Sequence, residues 1–360
     1  MSGNHEHTGA APGEMPLAPI QIAFIDRLRL LKDSSVYSLP RFDEVISHDG
    51  TTPKKDAPLP YQFDGIQLSD AVQSVFGNSQ ETLPNTFEFE IDEELSMMGR
   101  EDSHHGVFAG IITMRSRPDA HGKSIEYKTP VAVKPFMLAD ARFVIQECGI
   151  EQYLGAQGVK THEIIAVIGD RTQDKQPLYV LTRWRPELHS LDTYYNWKDW
   201  SQVTPAEVGG VVRERVQPAV GTFVATHTQF VFNSDAHFRN VVVPDRYGDV
   251  FVSDLEHATS CRDIIAALGE DDGLPEVLVT AMDQDITAIQ RSFKEYIYDN
   301  APVELVPPTE ADKLAFELEC FIEPYWVALE KSGSPYAGLL LRALDRVVQG
   351  KRHKARLTEV

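Results

Sequence analysis

Hydrophobic periodicity changes once along this chain, and that change limits the fold more than any other feature. Phe87, Phe89 and Ile91 alternate with Glu88, Glu90 and Asp92, the two-residue period of a half-buried strand. Strand-like apolar runs follow at residues 107–114 and 130–136, then a helical stretch at about 139–156, then further short apolar runs at 163–168 and 178–182. Past Pro186 the period becomes helical. Val208, Val212, Val216, Val220 and Phe223 recur at helical spacing, as do Leu278, Met282, Ile286, Ile289, Phe293 and Ile297. Leu314, Leu318, Phe321 and Trp326, and then Leu340, Leu344 and Val347, continue it. A compact all-β interruption at residues 230–252 breaks the helical part. An antiparallel sheet carrying one helix, followed by a helical region with an embedded hairpin, is an α+β architecture.

Composition narrows the function. The chain has 34 basic and 54 acidic residues, a formal charge of −20. A surface built to neutralise nucleic-acid phosphates is basic, so nucleic acid is not an expected partner. Docking on an anionic membrane is disfavoured for the same reason. Cys148, Cys261 and Cys320 lie far apart and form no CxxC pair, which predicts reduced thiols rather than a disulfide framework or a zinc site. No stretch approaches the roughly 20 apolar residues that span a bilayer, and residues 1–16 lack a signal-peptide core. A cytoplasmic protein is expected. Residues 1–16, with His5 and His7, read as a disordered tail. Residues 17–85, interrupted by prolines, read as an irregular extension with one or two short helices, one of them near 69–76. Residues 351–360 read as a basic tail.

The chemistry concentrates in residues 230–254. Asp235 and Asn240 stand five apart on a loop between a helix ending near Thr228 and the strand-like Val241, Val242 and Val243. A turn at residues 244–249 and a second strand return the chain to Asp254. The hairpin brings three oxygen-bearing side chains to one edge, and hard oxygen donors suit Mg2+, which also retains waters and substrate phosphates.

Asp235-x-His237-x-x-Asn240, a β-branched strand, a turn and then Asp254-x-Glu256 resembles the catalytic core of the protein-kinase-like superfamily. It is most similar to the aminoglycoside- and choline-type small-molecule phosphotransferases. The resemblance covers about residues 86–345. It implies a two-lobed fold, with a β-rich nucleotide-binding lobe at 86–185 and a helical catalytic lobe at 186–350. It also implies ATP and Mg2+ as cofactors. By the same resemblance Asp235 accepts the proton of the attacking hydroxyl, and Asn240 and Asp254 hold magnesium. Val131-Ala132-Val133-Lys134 matches the strand whose lysine contacts nucleotide phosphates. The next helix offers Glu147, with Glu151 one turn on, to hold that lysine. Gly106 sits in the candidate nucleotide-covering turn.

The chain departs from the family pattern in three places. Asn233 stands where the catalytic-loop histidine usually stands, Leu255-Glu256 replaces Phe-Gly, and the turn at 98–106 has only Gly99 and Gly106 in place of GxGxxG. Gly122-Lys123-Ser124 does not make a Walker A motif, because position 117 is arginine. The expected activity is transfer of the ATP γ-phosphoryl group to a hydroxyl of a small molecule. In the fold that the chain resembles, helices after the metal aspartate line the acceptor pocket, so Glu256, Asp263, Glu270, Asp271, Asp272 and Glu276, with Glu187 and Asp192 on the hinge side, imply either a cationic acceptor or a solvated acidic face. The alternatives are a protein Ser/Thr kinase like those of toxin–antitoxin pairs, which the Asn233-x-Asp235-x-His237-x-Arg239-Asn240 pattern also resembles, and a non-catalytic pseudokinase.

Overall fold

The computed structural model describes residues 19–31, 36–40, 63, 65–77, 82–92, 107–136, 141–169, 178–185, 188–195, 199–244, 250–266 and 273–357. Residues 1–16, the turn at 98–106 with Gly99 and Gly106, and residues 358–360 lie outside these.

In chain order, helix α1 (Pro19–Leu30) and strands β1 (Val36–Ser38) and β2 (Gly65–Leu68) precede helix α2 (Asp70–Phe76). Strands β3 (Pro84–Ile91), β4 (Phe108–Ser116) and β5 (Glu126–Phe136) lead into helix α3 (Ala141–Ala156), followed by β6 (Ile164–Gly169) and β7 (Leu178–Arg183). These form one seven-stranded sheet in the order β1-β2-β6-β7-β5-β4-β3. Only the β1–β2 pair is parallel.

The expected extension at 17–85 therefore differs from what the structure shows: its two strands are hydrogen-bonded members of the sheet. Ile66 and Leu68 are fully buried, and β2 pairs with β6 from Gly65↔Gly169 to Leu68↔Ala166. Helix α2 begins where expected. Ser69 caps it, its hydroxyl accepting from the Val72 amide at 3.4 Å. Helix α1 covers one face of the sheet through Phe24, whose ring lies 5.0 Å from Phe89, 5.3 Å from Phe108 and 4.9 Å from Tyr179. The Arg27 guanidinium fixes the same helix by donating to the Gly169 carbonyl at 3.0 Å.

Helix α3 covers the other face. Ala141, Val144, Ile145 and Cys148 pack with Phe136, Ile164, Val167 and Val180. Its Ile150 and Leu154 instead join the core of the helical part. One helix thus touches both cores, which is why every residue from Val144 to Glu151 is buried. Strand β6 is buried on all six residues, the continuous apolar pattern of a strand covered on both faces.

The C-terminal part holds β8 (Leu188–Ser190), α4 (Leu191–Tyr194) and α5 (Val208–His227), then β9 (Val231–Asn233), β10 (Val241–Pro244), β11 (Phe251–Val252) and β12 (Ala258–Ser260). Helices α6 (Arg262–Ala266), α7 (Glu276–Ser292), α8 (Glu310–Glu317), α9 (Glu323–Lys331) and α10 (Ala337–Leu357) complete it. Helix α5 contains Gly209, Gly210, Gly221 and Pro218, all poor helix formers. It is held by burial of Val212, Val216, Ala219, Val220 and Phe223, as tertiary packing commonly does. Helix α10 runs through Leu357, so most of the expected basic tail is its last turns. Among the described residues no helix is long and apolar enough to cross a membrane.

Candidate active site

Helix α5 ends at His227, and Phe230 takes the left-handed conformation (φ 57°) that turns the chain into β9. Strand β9 pairs with β12 (Asn233↔Ala258), and β10 pairs with β11 (Val241↔Val252) and with β8. Residues 234–240 and 253–257 are thereby clamped between two pairs of strands. Local hydrogen bonds set the loop within that clamp. The Ala236 amide donates to Asn233 O at 2.8 Å, His237 N to Asp235 O at 2.8 Å, and Asn240 N to His237 O at 2.9 Å.

The side chains finish the frame. The Asn240 amide nitrogen donates to the Asp235 carbonyl at 2.9 Å and to the Asp235 carboxylate at 3.3 Å. Asn233 works in both directions: its oxygen accepts from the Asp235 amide at 3.2 Å, and its nitrogen donates to the Asp254 carbonyl at 3.2 Å. The residue that departs from the family pattern is thus the bridge between the loop and the Asp254 segment. Ser253 N donates to Asn240 O at 2.8 Å, which places Asp254 next to the loop, as the hairpin spacing predicts.

Asp254 itself is left-handed (φ 59°, ψ 58°). Aspartate is among the residues that tolerate this region, and the reversal lifts the side chain off the strand end. Its Oδ1 meets Lys134 Nζ at 2.9 Å, an ion pair spanning 120 residues. Each partner keeps about a third of its side chain exposed (29% and 33%), so the pair faces solvent and a ligand could reach it. Lys134 also lies 4.7 Å from the centre of the Phe136 ring. The structure therefore brings together Lys134, Asp235, Asn240 and Asp254. Glu147 and Glu151, considered as partners for Lys134, both lie on the buried stretch of α3.

Electrostatics separate these acids. His237 Nε2 stands 3.5 Å from Asp235 Oδ2 and, by hydrogen bonding, holds the Asp235 carboxyl below the ordinary aspartate value despite partial burial. Asp235 is ionised and able to take a proton. Burial pushes Glu151 well above the usual carboxylate range, and the neighbouring Glu147 adds to the shift. Burial, then the charge of Lys134, brings His162 down to about 4, so its ring is neutral near neutral pH. That ring stacks on Phe251 with centroids 6.0 Å apart, and Thr161 bridges to Val252. Residues 161–162 thus rest on the strand that delivers Asp254.

One buried network escaped the sequence reading. The Asp285 carboxylate Oδ2 accepts from the Asn233 amide at 3.1 Å and lies 2.8 Å from His227 Nε2, while His227 Nδ1 lies 2.8 Å from the Tyr325 hydroxyl. Asp285 and His227 are each 1% exposed. Burial raises the Asp285 carboxyl, and the His227 hydrogen bond opposes that shift. A signal existed: Asp285 falls on the apolar face of α7 between Met282 and Ile289, where a carboxylate needs a partner.

Of the acidic residues expected around an acceptor, Asp192 lies 3.6 Å from Arg239 and Glu276 lies 2.8 Å from Arg346. The side chains of Glu187, Glu256, Asp263, Glu270, Asp271 and Asp272 lie outside the described residues.

No protein-family model matches the sequence. No curated protein matches it either. Among solved structures the chain is similar to one described as WaaP in complex with acyl carrier protein, at 18% identity over 79% of this chain and 93% of that one, with a TM-score of 0.33. So distant a likeness fixes neither substrate nor mechanism, which rest on the site itself.

Proposed function

We propose that the protein is an ATP- and Mg2+-dependent phosphotransferase of protein-kinase-like fold that phosphorylates a hydroxyl group of a small molecule. The observation that carries this reading is the ion pair between Lys134 on the sheet and Asp254 beside the Asp235–Asn240 loop. It joins the residues suited to phosphates, metal and proton transfer in one partly open place.

The donor set fits magnesium. Asn240 directs its amide nitrogen at Asp235, which leaves its amide oxygen as the acceptor, and Asp254 supplies carboxylate oxygens. Among the described residues no group of three or more His, Cys, Asp or Glu could hold a metal by protein ligands alone. That suits an ion which takes one or two carboxylates and completes its shell with water and phosphate oxygens. Asn240 and Asp254 would hold it, and when bound it would neutralise charge on the nucleotide phosphates. The protein's own residues do the rest. Lys134 offers a fixed cation to phosphate oxygens, and Asp235 accepts the proton of the acceptor hydroxyl as the oxygen attacks. Asn233 and Asn240 keep Asp235 in register with Asp254. Most of the rate then comes from positioning and charge neutralisation.

The test is ATP consumption against a panel of hydroxylated metabolites, amino alcohols and aminoglycosides, with autophosphorylation measured in parallel. Mg2+-dependent turnover with a panel member supports the proposal. Label transferred only to protein supports the protein-kinase alternative, and no turnover with either supports a pseudokinase.

A further inference from the structure

The loop that holds Asp235 carries a cation that the phosphoryl-transfer chemistry does not use. Arg239 stands directly before Asn240, in a single 3-10 turn over Phe238–Asn240. Three residues fill one such turn, so successive side chains leave it about 120° apart. Phe238 is fully buried against the end of α7, its ring 5.9 Å from Phe293 and 6.3 Å from Tyr296. Asn240 turns back to Asp235. The third direction is that of Arg239, whose side chain is 48% exposed.

Two partners fix it. Its Nε lies 3.6 Å from Asp192 Oδ2 in α4, and its guanidinium donates to the hydroxyl of Tyr296, on the π-helical continuation of α7 (Phe293–Tyr298). The Asp192 side chain is only 10% exposed. The acid is therefore the anchor beneath, and the cation is what the surface presents. An ammonium group arriving here meets a like charge first. An oxyanion meets a planar fork whose direction is already set, so less freedom is lost on binding. Consecutive Cα atoms are about 3.8 Å apart, so the Arg239 side chain starts one residue from Asn240, which itself touches the Asp235 carboxylate. A compound of hexose size with a hydroxyl on Asp235 is long enough to reach it.

We propose that Arg239 selects the acceptor: the compound whose hydroxyl is phosphorylated at Asp235 also carries a phosphate or carboxylate group, which the Arg239 fork binds. This inference rests on the phosphotransferase reading. It gives the acceptor a negative charge, where the acidic residues of the sequence implied a positive one, because Asp192 is held by Arg239 and does not face the acceptor alone.

The test is calorimetric titration of the full chain, saturated with Mg2+ and a non-hydrolysable ATP analogue so that the nucleotide side of the site is occupied. Glucose 6-phosphate, glucuronate, glucose and glucosamine present one pyranose ring with a phosphate, a carboxylate, no charge and an ammonium. Saturable binding of at least one of the two anions, about tenfold or more tighter than glucose and glucosamine, is expected. Arg239→Gln should remove that preference, and Arg239→Lys should restore part of it, because lysine keeps the charge without the fork. Affinity for the Mg2+–analogue complex should be the same in all three proteins. If Arg239 only ties α4 to the loop, Arg239→Gln lowers the urea midpoint and leaves the preference for anions intact. That result overturns the proposal, as do equal binding of the four compounds, binding of none, or tighter binding of glucosamine. Loss of nucleotide affinity in Arg239→Gln would assign the residue to the nucleotide and overturn it too. Failure of wild type to bind the Mg2+–analogue complex would instead remove the phosphotransferase reading, and this inference with it.

Discussion

The two halves of the candidate site are built differently. The half around Asp235 and Asp254 is short-range: Asn233, Asp235, Asn240, Ser253 and Asp254 are linked by hydrogen bonds of 2.8–3.2 Å, and two strand pairs clamp them. Its buried acid, Asp285, is partnered by His227 and the Asn233 amide. The half on the sheet and α3 reaches the site through Lys134, and its buried acid, Glu151, is met by the Ile164 backbone and the like-charged Glu147. A buried carboxylate held through one oxygen by a histidine and a backbone amide, as Asp285 is, fixes a loop. One beside a like charge holds its proton more tightly.

The largest expected effect lies in the first half. Asp235→Asn should lower turnover by about 10²–10⁴-fold, the usual contribution of a general base. Its urea midpoint should stay near wild type, because the side chain is a third exposed. Unfolding of that variant would make Asp235 a structural turn residue instead.

Asp285→Ala should come next. It leaves His227 Nε2 and the Asn233 backbone N–H, both buried, without their partner, which costs roughly 2–5 kcal/mol. Equilibrium urea unfolding measures this directly. A loss under about 0.5 kcal/mol, the size of an ordinary surface substitution, would show that the network does not anchor the loop.

Glu151 sharpens the contrast through pH. Its folded pKa is raised, so the native state binds more protons than the unfolded chain above the unfolded value of 4.5. Its stabilisation is present below that value and is lost as pH rises toward the folded pKa. Within that window the slope is about 1.4 kcal/mol per pH unit. Glu151→Gln should flatten the fall of stability with rising pH. An unchanged slope would mean that Glu151 is already ionised.

The smallest effect concerns His237. Because its hydrogen bond holds Asp235 below the ordinary value, the acid limb of the pH–rate profile should lie at correspondingly low pH. His237→Ala should move that limb to higher pH, with a modest change at neutral pH. A shift toward lower pH would contradict the assignment of Asp235 as the titrating base.

Legibility in the sequence follows the same division. The Asp235–Asp254 block could be read because its contacts are local and its loop, strand, turn and strand follow in order. The runs at 87–91, 107–114 and 130–136 fall within or against the strands at 84–91, 108–116 and 126–136, whose outer residues carry no apolar signal. The membership of β1 and β2 in the sheet was not legible, because three- and four-residue strands between proline-rich segments carry too little periodicity. The ion pair of Lys134 with Asp254 was equally hidden, since nothing in local spacing records a contact 120 residues away. Asn233 looked like a defect in the motif, and its bridging role depends on the β9–β12 register.

The central claim is that Lys134, Asn240 and Asp254 together hold a magnesium–nucleotide complex. Calorimetric titration of wild type, Asn240→Ala and Asp254→Ala with ATP, with and without Mg2+, tests it most directly. Saturable, Mg2+-dependent binding in wild type is predicted, with a larger loss in Asp254→Ala than in Asn240→Ala, because a carboxylate offers the ion a full charge and an amide only a dipole. Binding of equal affinity in wild type and Asp254→Ala, or no Mg2+-dependent binding in wild type, would contradict it.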